Sequence, residues 1–311
     1  AASGDINIRV GLASFKTLTL EDGPTAANKT TDLEQSNPTI AKYALSNNRV
    51  VVGFQSQATA GGNGFDIFVR AYNISGATLS TVSAQEERIN DYVDGDQTEP
   101  RITALSDGNF AVAWNDSARD ATTDQGVYAR IVGPSGATVS AGDIQLHTVV
   151  DGDQTHVDVA SDVGSSGFVA VWTNSPNAGE GDIHLRTFNN AGVANEPAPT
   201  LVTRAPNGSA AVGDQRRPSV AFTPDGGLAI VYEDSEIDGN SYGIALIQVS
   251  KTLELGTARV VNEGIQDQQL APRLAVSGGQ NTPWALVCFE SINAHGTAHP
   301  GVFTRPIPLQ P

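Results

Sequence analysis

Carboxylates in short glycine-centred motifs are the first residues of this sequence whose spacing could do chemistry. The motifs Asp94-Gly95-Asp96 and Asp151-Gly152-Asp153 each place two acidic side chains around a residue that turns sharply. Calcium binds about six to eight oxygen atoms, carboxylate oxygens among them, so these four aspartates are predicted calcium ligands. Solvated turn residues are the competing interpretation, because the chain contains no twelve-residue loop of the EF-hand type.

Two histidines near the C-terminus form a second candidate metal site. His295 and His299 lie four residues apart and have no counterpart elsewhere in the sequence, and Glu290 is a potential third ligand. Imidazole nitrogens bind transition metals. Gly296 and Pro300 oppose a helix between the two histidines, so ordinary loop residues are the alternative.

A third candidate set consists of polar side chains that follow the ends of apolar segments. These predicted ligand-binding residues are Gln55, Asn115, Asp116, Asn174, Asp234 and Glu290. Recurring aromatic residues close the same segments, and they could stack on sugar rings, but their recurrence favours a core layer. These aromatic residues are Phe54, Trp114, Trp172, Tyr232 and Phe289. Recurring arginines and glutamines are also predicted to be structural, namely Arg70, Arg130, Arg186, Arg305, Gln35, Gln97, Gln154, Gln215 and Gln269.

The elements that would position these residues are copies of one unit. The aromatic residues recur with a period of about 60 residues, and so does a Gln followed three positions later by Pro, as in Gln97 and Pro100. A third marker ends in Arg, as in Gly126-Val127-Tyr128-Ala129-Arg130. Three concordant markers predict five repeats.

Each repeat has the pattern of four antiparallel strands separated by turns. In the second copy these segments are Arg101–Leu105, Phe110–Trp114, Gly126–Val132 and Ile144–Val149. No segment shows an apolar stripe at helical spacing, so almost no helix is expected. The predicted fold is therefore all-β, a five-bladed β-propeller of four-stranded antiparallel blades.

The repeat boundaries predict a single domain over residues 1–311. The predicted blades cover approximately residues 32–90, 91–150, 151–209, 210–262, and 263–311 together with 10–22. The last copy ends after its third strand, whereas Phe15–Leu20 matches the fourth-strand position. The N-terminal strand is thus predicted to complete the last blade.

The repeat resembles five-bladed propellers such as the tachylectin-type lectins. It is also similar to the acidic tandem repeats of bacterial surface proteins, which have a Trp-x-x-Ser, Asp-Gly and Gly-Ile-x-x-Arg rhythm. The matching residues here are Trp114, Ser117 and Arg130, then Trp172, Ser175 and Arg186, then Tyr232, Ser235 and Asp238-Gly239. The resemblance covers nearly the whole chain but defines no ligand, because propellers carry many functions.

The charge of the chain restricts its partners. The 311 residues include 34 acidic and 18 basic side chains, a formal net charge of −16. Such a charge repels nucleic acid and anionic lipid, and no apolar segment is long enough to cross a membrane as a helix. Most carboxylates are expected in loops at one end of the ring. The small residues Ala1-Ala2-Ser3 indicate a removed signal peptide, and hence a secreted, periplasmic or cell-surface protein.

These patterns predict a non-enzymatic propeller that binds a glycan or another surface protein and is stabilised by calcium. Repeated blades offer several similar weak sites, which combine through multivalency. Two alternatives stay open, a structural subunit of an extracellular layer or filament and a glycoside hydrolase that uses two carboxylates of the acidic loops. The similarity of the five copies argues against catalysis, which needs residues that differ between blades.

Overall fold

All secondary-structure elements of the described residues are strands. The structure, a computed structural model, describes residues 7–8, 11–13, 18–20, 25–29, 33–43, 48–57, 64–75, 78–120, 124–162, 164–176, 180–263, 268–277, 283–292 and 301–310. Within these ranges there is no helix of the length and apolarity needed to cross a membrane.

Four short strands lie in the N-terminal part of the chain. They are β1 (Asn7–Ile8), β2 (Gly11–Ala13), β3 (Leu18–Leu20) and β4 (Thr25–Ala26). β1 pairs with β4, and β2 pairs with β3, both antiparallel. The predicted closing strand Phe15–Leu20 is described only over β3, whose partner is β2. Completion of the last blade by this segment therefore stays a prediction.

Five antiparallel sheets follow one another along the rest of the chain. The first contains β5 (Gln35–Lys42), β6 (Arg49–Gln57) and β7 (Phe65–Ser75), and β7 also pairs with β8 (Thr78–Thr81) and β9 (Glu87–Arg88). The second contains β10 (Gln97–Ala104), β11 (Phe110–Asp120), β12 (Asp124–Val132) and β13 (Ile144–Gln145). The third contains β14 (Asp153–Ala160), β15 (Gly167–Ser175), β16 (Asp182–Asn189) and β17 (Thr200–Leu201). The fourth contains β18 (Gln215–Phe222), β19 (Leu228–Asp234), β20 (Gly243–Val249) and β21 (Arg259–Val260). The described part of the fifth contains β22 (Gln269–Val276), β23 (Trp284–Ser291) and β24 (Gly301–Pro308).

These sheets are the blades of a five-bladed β-propeller, so the predicted fold class is confirmed. By the density of internal contacts the chain divides into two compact units. The first comprises residues 1–146, 163–168 and 188–194, and the second comprises residues 147–162, 169–187 and 195–311. The prediction of one domain stays a prediction.

The second strand of the fourth blade shows why such strands are apolar on both faces. Successive residues of a strand point to opposite sides of the sheet. Ile230 and Tyr232 of β19 lie in one buried cluster with Val171 of the third blade. Ala229 lies in another buried cluster with Phe289 of the fifth blade. Because β19 lies between two other sheets, each of its faces needs apolar residues.

The pairing register brings two classes of loop to the same end of a blade. The start of the first strand lies beside the end of the second, as in the pairs Gln97 with Asp116 and Gln215 with Asp234. The loop before the first strand and the loop after the second therefore share one end of each blade. Polar residues from both loops are available there to form a site.

Candidate active site

Each first strand contains one residue with a left-handed backbone. These residues are Asn37, Glu99, His156, Arg217 and Ala271, with φ of 50°, 53°, 54°, 53° and 52°. All five lie where the strand register shifts, which marks a β-bulge. A non-glycine residue in this region costs on the order of 1 kcal/mol or more, and bulges re-aim side chains near active sites. The five side chains differ from blade to blade, which is the asymmetry that a specific site requires.

In three blades, the residue after the core aromatic binds the bulge of the following blade. The Gln55 side-chain oxygen accepts a hydrogen bond from the Glu99 backbone N–H at 2.9 Å. Within the second unit, the Thr173 hydroxyl accepts from the Arg217 N–H at 3.1 Å, and Glu233 Oε1 accepts from the Ala271 N–H at 2.7 Å. These bonds hold the strained bulges in place and bring blade-specific side chains together.

The fourth blade carries a cluster of charged side chains at this end. Glu233 Oε2 accepts a hydrogen bond from Arg216 Nε at 2.7 Å, and the Glu233 side chain is 0% exposed. Arg216 Nη1 lies 3.7 Å from Asp214 Oδ2. The same guanidinium lies over the Tyr242 ring, 3.9 Å from its centroid. The Tyr242 hydroxyl donates to Asp214 Oδ2 at 2.5 Å, which closes the cluster.

The cluster contains one buried and one accessible carboxylate. The Asp214 side chain is 24% exposed, and its Oδ1 accepts the Gly181 N–H at 2.7 Å. Burial, together with the hydrogen bond to Asp214, raises the pKa of Tyr242 to about 12. The phenol therefore stays protonated near neutral pH and acts as a hydrogen-bond donor to Asp214. Arg216 holds the two carboxylates on different nitrogen atoms of one guanidinium, so neither carboxylate is left as an uncompensated charge.

Comparison with the second blade separates the constant residues from the blade-specific ones. Asp96 occupies the position of Asp214, because each accepts one backbone N–H, from Phe65 at 2.9 Å in the case of Asp96. The backbone N–H groups of Asp96 and Asp214 also both donate to a serine hydroxyl. However, Thr98 and Asn115 form the strand pair that Arg216 and Glu233 form in the fourth blade. The second and fourth blades thus share the aspartate, whereas its ionic partners belong to the fourth blade.

Five of the six predicted ligand-binding residues form side-chain hydrogen bonds within the protein. The sixth, Glu290, is exposed. Gln55 binds the Glu99 backbone, as described above, and Asn115 Nδ2 donates to Glu99 Oε2 at 3.2 Å. Asn174 Oδ1 accepts from Gln154 Nε2 at 3.2 Å. The two aspartates of the set accept a backbone N–H two residues ahead, at 3.2 Å for Asp116 and 2.9 Å for Asp234. Ligand binding by this set stays a prediction.

Two of these residues are buried carboxylates with perturbed acidity. Burial raises the pKa of Asp116 from 3.8 to about 6 and raises the pKa of Asp234 as well. Both side chains are almost inaccessible to solvent, at 0% and 2% exposure. Their protonation therefore affects stability rather than contact with a ligand.

The predicted metal ligands lie in different parts of the blades. Asp94 and Asp151 are exposed, while Asp96 and Asp153 lie at or next to the starts of first strands. The glycines inside both motifs have left-handed backbones, as sharp turns require. His295 and His299 lie outside the described residues. In the part of the chain that is described, no group of three or more His, Cys, Asp or Glu side chains could hold a metal ion. Calcium binding stays a prediction.

The structural roles predicted for the recurring residues are confirmed. All five core aromatic residues are buried. Gln97, Gln154 and Gln215 each donate to a backbone carbonyl of the loop before their strand, at 3.1, 2.9 and 2.7 Å. Arg70 and Arg305 donate to the carbonyls of Ala27 and Val261. Among the other recurring arginines, Arg186 binds the Glu196 carbonyl and Arg130 binds the Asp143 carboxylate.

Reasoning from the sequence missed the cluster of the fourth blade. Arg216-Arg217 stands where the second copy has Thr98-Glu99, and Glu233 stands where it has Asn115. Departure from the repeat was the signal that could have revealed these residues. Among the predicted sites, only His295 and His299 rest on such a departure from the repeat.

Comparison with known proteins adds information about the fold. No protein family and no curated protein matches the sequence. A Penicillium chrysogenum alpha-L-arabinanase complexed with arabinobiose matches with a TM-score of 0.57 and 12% identity, over 98% of this chain and 86% of that chain. The GH93 alpha-L-arabinofuranosidase of Fusarium graminearum with arabinobiose matches with a TM-score of 0.56 and 12% identity, over 98% and 86%. A protein of unknown function from Dyadobacter fermentans matches with a TM-score of 0.56 and 12% identity, over 90% and 80%. At these identities the likeness shows a shared fold.

The comparisons correct the prediction of a non-enzymatic binding propeller. The two solved structures above that have a named activity are enzymes, an arabinanase and an arabinofuranosidase, and neither is a tachylectin-type lectin. The expectation that the protein is not an enzyme is therefore wrong on this evidence. Its physical premise also fails, because the five blades are not equivalent at the bulge positions or around Arg216.

Proposed function

We propose that the protein is a glycoside hydrolase that acts on an arabinose-containing glycan. One observation carries the proposal. Asp214 and Glu233 contact the same guanidinium, next to strained bulges whose side chains differ between blades. Glycoside hydrolysis requires two carboxylates near the scissile bond, held at a separation that leaves room for the sugar or a water molecule. The shared fold of the arabinanase and arabinofuranosidase structures supports this substrate class.

The two carboxylates have different environments and hence different roles. Asp214 is partly exposed and shares a hydrogen bond with the Tyr242 hydroxyl, so it is the group that exchanges a proton with water or with the leaving oxygen. Glu233 is fully buried and accepts hydrogen bonds from Arg216 and from the Ala271 backbone. These donors hold the carboxylate in a fixed orientation, from which it stabilises the positive charge of an oxocarbenium-like transition state.

Arg217 covers the buried carboxylate in the free protein. Its Nε lies 3.8 Å from Glu233 Oε1, and its side chain is 46% exposed. Movement of this long side chain opens a path from solvent towards Glu233. The proposed reaction therefore takes place at an end of the fourth blade, between Asp214 and the position that Arg217 occupies.

The proposal is tested by incubating the purified protein with arabinan and arabinobiose and measuring reducing sugar. Hydrolysis is expected, and Glu233→Gln is expected to lower kcat by about 10²- to 10⁴-fold, the range for loss of one positioned catalytic group. Circular dichroism and thermal unfolding establish that the variant is folded. Absence of reducing sugar from arabinan, arabinobiose and a panel of other plant polysaccharides would overturn the proposal.

A further inference from the structure

The guanidinium of Arg217 has hydrogen-bond donors that are available to a ligand. Its backbone is left-handed, with φ of 53°, in the bulge of β18. Among the described residues, its Nη1 and Nη2 atoms have no hydrogen-bond or ion-pair partner, and Nε has only the 3.8 Å contact with Glu233. All five first strands have a left-handed residue at this bulge, but only the fourth blade has an arginine there, so the guanidinium is specific to this blade.

The charge balance of the cluster leaves this guanidinium available. Glu233 already receives Arg216 Nε at 2.7 Å and the Ala271 N–H at 2.7 Å. Asp214 receives the Tyr242 hydroxyl and the Gly181 N–H, and it also lies near Arg216. Both carboxylates are therefore satisfied without the terminal nitrogens of Arg217. In a chain with a net charge of −16, an arginine whose terminal nitrogens are open, beside a candidate active site, is a specific attractive point for an anion.

We propose that Arg217 selects glycan chains in which a sugar next to the cleaved bond carries a carboxylate, that is, a uronic acid. The planar guanidinium fork matches a carboxylate with two parallel hydrogen bonds, which a neutral sugar hydroxyl does not reproduce. A carboxylate bears a single charge, so the acidic surroundings oppose its approach less than they oppose a phosphate dianion. The inference rests on the proposed function, because it assumes that the ligand is a glycan.

The test compares glucuronate with glucose, which have the same ring, by isothermal titration or NMR shift titration of the full chain. Wild-type protein is expected to bind glucuronate about tenfold or more tightly than glucose, the advantage of a charge-assisted bidentate contact. Arg217→Gln is expected to abolish the preference. Arg217→Lys is expected to restore only part of it, because an ammonium is a point charge without the fork.

Arg88→Gln is the matched control. Arg88 is 45% exposed, close to the 46% of Arg217, and its change removes the same unit charge away from the cluster. The control is expected to keep the preference for glucuronate. Equal binding of the two sugars by the wild type, or a preference that survives Arg217→Gln, overturns the inference.

Hydrolysis assays separate failure of this inference from failure of the proposed function. If neutral arabinan is cleaved equally by the wild type and Arg217→Gln with no preference for glucuronate, hydrolysis stands and acidic-sugar selection is refuted. If glucuronate is preferred and the preference depends on Arg217 but no glycan is cleaved, acidic-sugar selection stands and hydrolysis is refuted.

Discussion

Replacement of Asp116 by Asn tests whether a buried carboxylate makes this propeller less stable as the pH rises. Asp116 is 0% exposed, and within the described part of the chain its Oδ2 atom has no hydrogen-bond partner. Burial raises its pKa from 3.8 to about 6. The third blade has Asn174 at the same position, where its side-chain oxygen accepts from Gln154. The fold thus already accommodates an amide at this point of the repeat.

The sign and size of the effect follow from proton linkage. Because the folded-state pKa lies above the unfolded value, the folded protein binds more protons between about pH 4 and pH 6. The contribution of Asp116 to stability is fully present below pH 4 and is lost as the pH rises through 6. A shift of about two pKa units corresponds to at most about 3 kcal/mol. The free energy of unfolding of Asp116→Asn, relative to wild type, is expected to increase by up to that amount between pH 4 and pH 7.

Urea unfolding of both proteins, followed by tryptophan fluorescence at several pH values, measures this difference directly. Placing an amide in the site can also carry a cost that does not depend on pH. Such a cost shifts the stability of the variant by the same amount at every pH, so the change of the stability difference with pH still reports the titration of Asp116. Asp225→Asn is a control of opposite sign, because the Thr223 hydroxyl holds the pKa of Asp225 below its usual range. Parallel stability curves for wild type and Asp116→Asn would refute the reasoning.

Three further predictions concern the cluster, the repeat and the metal. Tyr242→Phe removes the hydroxyl that binds Asp214 but keeps the ring against Arg216. We expect kcat to fall at least tenfold, while the free energy of unfolding measured in urea falls by less than about 1.5 kcal/mol. Unchanged kcat would exclude the hydroxyl from the reaction. Gln97→Ala removes the donor to the Asp94 carbonyl and one of the acceptors of the Asn90 amide, and it truncates a side chain that is 0% exposed. We expect a loss of about 1–3 kcal/mol in the same unfolding assay. A loss below about 0.5 kcal/mol, the size of an ordinary surface substitution, would contradict the structural role. If calcium is bound, a chelator is expected to lower the melting temperature by several degrees, as mass-action linkage requires, and an unaltered melting curve would refute calcium binding.

The fold was predictable because its signals are local and repeated. An apolar segment such as Phe110–Trp114 predicts a buried strand. The aromatic residues and glutamines that recur with a constant period predict the place of that strand in a blade. The structural roles of Gln97 and Arg70 were predictable in the same way, because the glutamine recurs in all five copies and the arginine in four of them.

The site was less predictable because it depends on register and on conformation. Glu233 and Asp234 are adjacent in sequence, but strand alternation sends them to opposite faces. The predicted ligand-binding set includes Asp234, which caps a turn, and lacks Glu233, which binds Arg216. The left-handed backbone of Arg217 has no signature in its residue type. The pairing of β18 with β19 brings Arg217 and Glu233 from different strands into one cluster with Tyr242, which lies directly before β20.

The comparison of two equivalent aspartates tests the central claim most directly. Asp214→Asn and Asp96→Asn make the same chemical change at the same position of the repeat, and both amides keep an oxygen for the backbone N–H that each aspartate accepts. Reducing-sugar release from arabinan is expected to fall at least 100-fold for Asp214→Asn and to stay within twofold of wild type for Asp96→Asn. Equal activity of the two variants, whether both retain it or both lose it, would contradict the assignment of hydrolysis to the cluster of the fourth blade.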